Sequence, residues 1–185
     1  MDDLQAVQRI KQGDIGGLEF LIARHQERAF RTAYLVTHDE ALAEDVVQDC
    51  FVHFFERAHH FDEKRSFEPY FMVSVMHTAL NAALREKRSQ PMGEKIDETY
   101  IESLMDRSLS VEGEVEKHQT DAELWQVLTQ LSSRQRAVVV QRYYLEMSEK
   151  EMSSFSQSAP GTIKWLLNAA RVKMRTLLQS ERGEE

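Results

Sequence analysis

The last third of the chain alternates apolar and polar residues with the period of an α-helix. From Ile163 onward, apolar side chains recur every three or four residues and define one buried stripe. They are Ile163, Leu166, Leu167, Ala170, Met174, Leu177 and Leu178. Pro160 suits the first turn of this helix, because the amide hydrogen that proline lacks would have no partner there. The pattern predicts a helix with one face in a core and a polar face toward solvent.

Another helix is predicted upstream, opening in the segment 131–136 and continuing to Tyr144. A short polar segment between Glu151 and Pro160 precedes the last helix, and residues 149–155 supply a short bracing helix. Two helices joined by a turn are typical of a helix-turn-helix, whose second helix enters the major groove of DNA. A plain bundle of amphipathic helices would show the same stripe.

The first half of the chain has helical periodicity interrupted by turn signals. In chain order we predict a short opening helix, a helix from Leu18 to Thr37, a helix ending near His59, a loop from Phe61 to Phe67, and a helix with Pro69 near its start that ends at Arg88. Glycines at positions 13, 16 and 17 should break the first helix. Thr37 or Asp39 is expected to cap the third.

Composition favours an all-α fold. The 185 residues include only 7 glycines and 3 prolines, and strand-like alternation is scarce. No apolar run approaches the roughly 20 residues of a membrane span, so we expect no membrane insertion. The acidic start Met1-Asp-Asp-Leu4 differs from a signal peptide, which predicts a cytoplasmic protein. The single cysteine, Cys50, is interpreted as a packed thiol.

The net charge of −8 is distributed unevenly. Residues 1–89 hold 11 Lys and Arg against 15 Asp and Glu, residues 90–123 hold 3 against 10, and residues 124–182 hold 9 against 4. We therefore predict two small helical domains, residues 1–89 and 120–182, joined by an acidic linker, residues 90–119. The basic C-terminal domain is suited to DNA and the acidic remainder to a positively charged partner.

Two motifs carry a family resemblance. The stretch Ala43-Glu-Asp-Val-Val-Gln-Asp-Cys-Phe51 resembles the polymerase-binding helix of bacterial extracytoplasmic-function sigma factors, and the segments 131–144 and 161–171 resemble their promoter-reading helix-turn-helix. The resemblance implies a four-helix sigma domain 2 and a sigma domain 4 that bind core RNA polymerase and promoter DNA. It implies no catalysis and no cofactor. A cognate anti-sigma factor is a further possible partner of such proteins.

The resemblance also implies three sets of site residues. The set expected on the clamp helices of the β′ subunit is Glu44, Asp45, Gln48, Asp49 and Phe51. The set expected on the minus-10 element is Lys64, Arg65, Ser66, Phe67, Tyr70, His77, Asn81, Arg85, Lys87 and Arg88. The set expected on the minus-35 element is Arg134, Arg136, Thr162, Lys164, Trp165, Asn168, Arg171 and Lys173. Asp45, Gln48 and Asp49 share one side of a helix, and their acidic and amide character suits a basic partner.

The chain departs from the family at several of these positions. The family tends to have arginines where Leu166 and Ala169 stand, so two expected DNA contacts are missing. Tyr70 and Phe71 replace a Trp-Leu pair, which keeps an aromatic residue. With fewer cations, binding to free DNA should be weak in the absence of polymerase.

Two other functions are compatible with parts of the sequence. A conventional helix-turn-helix regulator, with the N-terminal helices as a sensor or dimerisation domain, would explain the C-terminal module but leaves the segment 43–51 unexplained. A metal site could be drawn from His53, His59, His60, Asp62 and Glu63. It lacks any metal-binding spacing, so surface histidines are the preferred interpretation.

Overall fold

The computed structural model describes residues 1–86 and 126–182, and in these ranges it consists of helices and turns without a β-strand. This confirms the all-α prediction. The chain divides into two compact units, Met1–Lys87 and Arg88–Glu185. The predicted acidic linker, residues 90–119, lies outside the described residues. None of the helices in the described ranges has both the length and the apolar content that a membrane span requires.

The first unit contains four α-helices. They are α1 (Asp3–Lys11), α2 (Gly16–Thr37), α3 (Glu40–Arg57) and α4 (Phe67–Glu86), with a 3₁₀ turn at Ala58–His60. The long helix α2 packs against each of the other three. Asp39 caps α3, because its carboxylate accepts the amide hydrogen of Leu42 at 2.9 Å, while the Thr37 hydroxyl donates to the Asp39 carbonyl at 3.1 Å.

The start of α2 differs from the prediction. The sequence pattern predicts a start at Leu18, because glycines usually interrupt a helix, but Gly16 and Gly17 form the first turn. At Gly17 the backbone of α1 approaches so closely that an added Cβ atom would lie 2.3 Å from the carbonyl oxygen of Ala6. Glycine is therefore required here for helix packing rather than for a break.

Four phenylalanine rings pack together in the first unit. The Phe54 ring of α3 lies 4.8 Å from Phe67 and 5.7 Å from Phe61, both edge-on, and Phe67 stacks on Phe71 at 5.1 Å. We call Phe54, Phe61, Phe67 and Phe71 the aromatic cluster. It includes both ends of the predicted loop Phe61 to Phe67 and so holds that loop against α3 and α4.

The second unit contains the predicted helix-turn-helix. Residues 126–130 are helical, followed by α5 (Ser133–Val139), a π-helical segment (Val140–Tyr144), α6 (Glu149–Ser156) and α7 (Pro160–Arg182). In the π-helical segment the amide of Leu145 donates to the carbonyl of Val140 at 2.9 Å. The predicted α-helix therefore changes its hydrogen-bonding pattern before Tyr144. The predicted apolar stripe of α7 is buried except for the half-buried Leu177.

Reciprocal side-chain caps fix the starts of α5 and α6. Ser132 and Gln135 form a capping box at the first helix, and Ser148 and Glu151 form one at the second. Hydrogen bonds from the Ser148 side chain and backbone lower the pKa of Glu151. After α6, Gln157 takes a left-handed backbone conformation, which turns the chain toward α7.

Cys50 is buried on the inner side of α3, as the packed-thiol interpretation requires. Burial away from water raises the pKa of its thiol, against smaller opposing hydrogen bonds from Thr78 and Ser74. A protonated thiol in this position is a packing group with low reactivity.

The close approach at Gly17 predicts a large difference between two neighbouring substitutions. Gly17→Ala should lower the free energy of unfolding of the first unit by about 2 kcal/mol or more, since the new methyl group meets backbone atoms that cannot move aside. Gly16→Ala is the matched control, because its Cβ would meet chiefly the flexible end of the Arg9 side chain at 2.8 Å. Urea unfolding followed by circular dichroism measures both, and equal stabilities would contradict the prediction.

Candidate functional site

The outer face of α3 carries a row of acidic and amide side chains. Glu44, Asp45, Gln48 and Asp49 are all exposed, while Val46 and Val47 between them and Cys50 after them are buried. The row follows from helical periodicity, because residues three or four apart lie on one side. These four residues define what we call the acidic face.

Phe51 does not belong to that face. It is only 5% exposed, and its ring lies 4.4 Å from the ring of Phe71. The expectation that Phe51 contacts a partner directly is therefore wrong in this structure, because the side chain is part of the core between α3 and α4.

Two exposed apolar residues continue the acidic face toward the end of α3. Val52 is 57% exposed and Phe55 is 37% exposed. Val52 follows Gln48 by four residues and Asp49 by three, and Phe55 follows Val52 by three, so they share the same side of the helix. Sequence reasoning missed both, although their spacing from Asp45 could have revealed them.

Along α4, Tyr70, His77, Asn81 and Arg85 form one solvent-exposed stripe. The amide of Asn81 lies 3.5 Å from the His77 ring nitrogen Nδ1. Lys64, Arg65 and Ser66 are exposed on the loop that precedes α4, whereas Phe67 is buried in the aromatic cluster. Phe67 thus supports this surface from below. The predicted positions Lys87 and Arg88 lie outside the described residues.

Helix α1 holds the loop in place. The Lys11 ammonium donates to the Phe61 carbonyl at 2.9 Å and to the Glu63 carboxylate at 2.7 Å, and Gln8 donates to the same carboxylate at 3.0 Å. These hydrogen bonds, with that of Lys11 the stronger, lower the pKa of Glu63. The loop cations are therefore presented by an anchored backbone.

A cavity of about 370 Å³ opens between this loop and the N-terminal helices. The loop contributes Lys64, Arg65 and Ser66, with Phe67 beneath, and the opposite wall includes Asp3 and Arg24. Asp3 shares a hydrogen bond with the buried His25 ring at 3.0 Å, and the Arg24 guanidinium lies 3.5 Å from the other oxygen of Asp3. The sequence pattern did not predict that Asp3 and Arg24 line this cavity, because their position depends on the packing of α1 on α2.

In the second unit, most of the predicted DNA-facing side chains of α7 and α5 are at the surface. Thr162, Lys164, Trp165, Lys173 and Arg134 are exposed, and Asn168 is half-buried. The Lys164 ammonium lies 3.8 Å from the Glu149 carboxylate of α6, so part of its charge is compensated within the helix-turn-helix.

Two predicted DNA contacts are buried instead. Arg136 is 1% exposed, its guanidinium nitrogens have no hydrogen-bond partner among the described residues, and burial lowers its pKa. Arg171 is 7% exposed, and its Nε donates to the Tyr143 hydroxyl at 2.8 Å. Both expectations are corrected, because these arginines point into the unit. Sequence spacing placed Arg171 beside the polar face and could not reveal the tyrosine from the π-helical segment.

The histidines near the end of α3 lie at the surface. His53, His59 and His60 are all exposed. Among residues 1–86 and 126–182, no three metal-ligating side chains converge on a common point.

Family models match both units. Residues 21–89 match the model of Sigma-70 region 2, and residues 121–174 match the model of Sigma-70, region 4. Together these ranges contain the acidic face, the loop with α4, and the helix-turn-helix through most of α7.

Similar proteins extend over almost the whole chain. The RNA polymerase sigma-E factor of Streptomyces avermitilis is 27% identical over 168 residues, covering 91% of this chain and 88% of that protein. The RNA polymerase sigma-H factor of Pseudomonas aeruginosa is 23% identical over 183 residues, covering 96% and 94%. Among solved structures, CnrH in complex with the cytosolic domain of CnrY has a similar fold, with a TM-score of 0.62, 20% identity, and coverage of 96% of this chain and 97% of that one.

The internal role of Arg171 predicts the effect of removing a single hydroxyl group. Tyr143→Phe should lower the free energy of unfolding of the second unit by about 1–3 kcal/mol, because a buried guanidinium loses an acceptor while the ring is retained. Tyr70→Phe, at an exposed ring of the first unit, should change the free energy of unfolding of that unit by less than about 0.5 kcal/mol. Thermal and denaturant unfolding measure the two variants. Unchanged stability of Tyr143→Phe would return Arg171 to the set of possible DNA contacts.

Proposed function

Because this chain belongs to the extracytoplasmic-function class of RNA polymerase sigma factors, we propose that the acidic face of α3 is its binding surface for core RNA polymerase. Proteins of this family are initiation factors that direct the polymerase to specific promoters, and they are not enzymes. Each step of that activity needs its own surface on the chain.

The acidic face is suited to a basic surface, which we propose the β′ clamp helices provide. Its three carboxylates and one amide are exposed, so they are available to a partner. Val52 and Phe55 add an apolar part to the same side of α3. Interfaces gain most of their affinity where aromatic and apolar groups become fully buried, and charges at the rim chiefly raise the association rate.

The loop and α4 are proposed to bind the minus-10 element after strand separation. Unpaired bases are held by aromatic stacking next to cations that neutralise the backbone. Tyr70 offers an exposed ring, and Lys64 and Arg65 offer cations beside a cavity of about 370 Å³. That cavity is the observation that carries this assignment, since it is large enough to admit a nucleobase and its wall includes both cations. His77, Asn81 and Arg85 would continue the contact along α4.

For the minus-35 element we propose a smaller set than the sequence indicates. Thr162, Lys164, Trp165 and Asn168 stand on the first turns of α7, which is the part of a helix-turn-helix that enters the major groove. Arg134 and Lys173 are exposed and would contact phosphates. Arg136 and Arg171 are left out.

We also propose a protein inhibitor of the anti-sigma type as a partner. The similar fold of CnrH was solved with the cytosolic domain of CnrY bound to it. In this chain the exposed Val52 and Phe55 offer an apolar surface that an inhibitor could cover in competition with polymerase. The proposed place of action is the cytoplasm.

The polymerase assignment predicts the effect of reversing two charges. The double substitution Asp45→Lys and Asp49→Lys should abolish capture of core RNA polymerase, since a basic partner would meet cations instead of anions. Circular dichroism should be unchanged, because both side chains are exposed. Pull-down of purified core polymerase measures the binding.

The matched control has the same charge change on another helix. Glu19→Lys together with Glu27→Lys alters two exposed acids of α2 and should leave capture intact. Equal capture by both double variants would refute the assignment. If the unsubstituted protein binds duplex DNA tightly without polymerase and captures no core, the conventional regulator becomes the better account.

The minus-10 assignment predicts a defect at a later step. Lys64→Ala with Arg65→Ala should leave polymerase capture unchanged but slow promoter opening by about tenfold or more, because two charge-assisted contacts to DNA are lost. Permanganate reactivity of unpaired thymines follows the opening. Arg9→Ala removes an exposed arginine that pairs with Asp14 and serves as the control. Normal opening by the double variant would exclude the loop cations from DNA binding.

A further inference from the structure

The first turns of α7 present an unusual set of groups for reading base pairs. Between Pro160 and Leu167 there is no arginine, asparagine or glutamine. The one cation in that stretch of sequence, Lys164, lies 3.8 Å from Glu149. The other exposed side chains there are those of Thr162 and Trp165, and Trp165 is 54% exposed.

Base pairs in the major groove are distinguished by hydrogen bonds and by one apolar group. Guanine is read by arginine or lysine, adenine by asparagine or glutamine, and thymine by apolar contact with its 5-methyl group. Arg171 cannot supply the guanine contact, because it is buried and donates to Tyr143. Asn168 is the first amide of α7, and it is half-buried one turn further along the helix.

Core packing does not explain the indole of Trp165. The buried stripe of α7 runs through Ile163, Leu166 and Leu167, and Trp165 projects from another side. A large exposed aromatic ring on a recognition helix exposes apolar area that docking would remove from water. The second unit also exposes the cations Lys164, Lys173 and Arg134, which favour a polyanion as its docking partner.

We propose that Trp165 is a specificity-determining residue that recognises thymine 5-methyl groups in the minus-35 element, assisted by the methyl group of Thr162. This recognition rests on the proposed role of α7 in reading that element. The helix selects thymine by burying its methyl groups, with less reliance on bidentate hydrogen bonds.

Deoxyuridine provides the direct test, because it differs from thymidine only by the missing methyl group. The full-length protein is combined with core RNA polymerase, and a promoter that the mixture transcribes is selected from genomic DNA. Thymines of its minus-35 element are then replaced by deoxyuridine, first on one strand and then on the other. Open-complex formation and transcript yield are measured for each template.

The unsubstituted protein should prefer thymine to deoxyuridine by about fourfold for each methyl group that Trp165 buries. Trp165→Ala should remove this preference while polymerase capture stays normal, and Trp165→Phe should retain part of it. Thr176→Ala, an exposed position three turns further along α7, should leave the preference unchanged. A simple folding defect would lower transcription from both templates equally and would not alter their ratio.

A template with a scrambled minus-35 element distinguishes failure of the thymine proposal from failure of the proposed role of α7. If scrambling abolishes transcription but deoxyuridine has no effect on the unsubstituted protein, thymine recognition is refuted while the proposed role of α7 stands. A thymine preference that persists in Trp165→Ala also refutes it. If scrambling has no effect, α7 does not read a minus-35 element and both proposals fail.

Discussion

Packing among the four rings of the aromatic cluster joins the elements that carry the proposed partner surfaces of the first unit. Phe54 belongs to α3, Phe61 and Phe67 bound the loop, and Phe71 lies one turn into α4. Aromatic pairs at such separations contribute about 0.5–1.5 kcal/mol each beyond the burial of their area. Because the same rings join all three segments, the packing that directs the acidic face of α3 outward also presents the loop cations. The polymerase-binding and DNA-binding assignments therefore share one structural foundation.

In the second unit, two arginines that the sequence pattern assigns to the surface are buried inside the unit. Ser132 and Ser148 begin α5 and α6 through hydroxyl caps, which fix where the helix-turn-helix starts without any long-range contact. Arg171 then joins α7 to the π-helical segment through Tyr143. A guanidinium used for such a contact helps to order α7, and it is lost from the surface that we propose contacts phosphates. The helix is held firmly but carries fewer exposed cations than the net charge of the region implies.

The features that depend on residues close together in the sequence were predicted correctly. The apolar stripe of α7, the cap of α3 and the opening of α5 in the segment 131–136 follow from periodicity and from side chains close to the helix start. The errors have a common cause in packing between elements distant in sequence. Gly17 is part of a helix because its lack of a side chain lets α1 pack against it. Phe51 is buried because its ring packs on Phe71 of α4, so it is not part of the acidic face. The burial of Arg136 is likewise invisible in a sequence pattern, because periodicity does not report which charged residues the fold encloses.

The distribution of charge makes promoter reading dependent on polymerase. Affinity for DNA rises with the number of phosphates that cations neutralise, and each lost contact weakens binding and its salt dependence. On the helix-turn-helix, Arg134 and Lys173 are exposed, whereas Lys164 is compensated in part by Glu149 and two arginines are buried. The whole chain carries a net charge of −8, which opposes its approach to DNA at long range. In the proposed function, polymerase therefore supplies the missing DNA affinity, and the acidic character that opposes DNA binding suits a basic partner surface. In the proposed function, the acidic face of α3 controls access to promoters, since a protein that covers it would block capture of polymerase without touching α7.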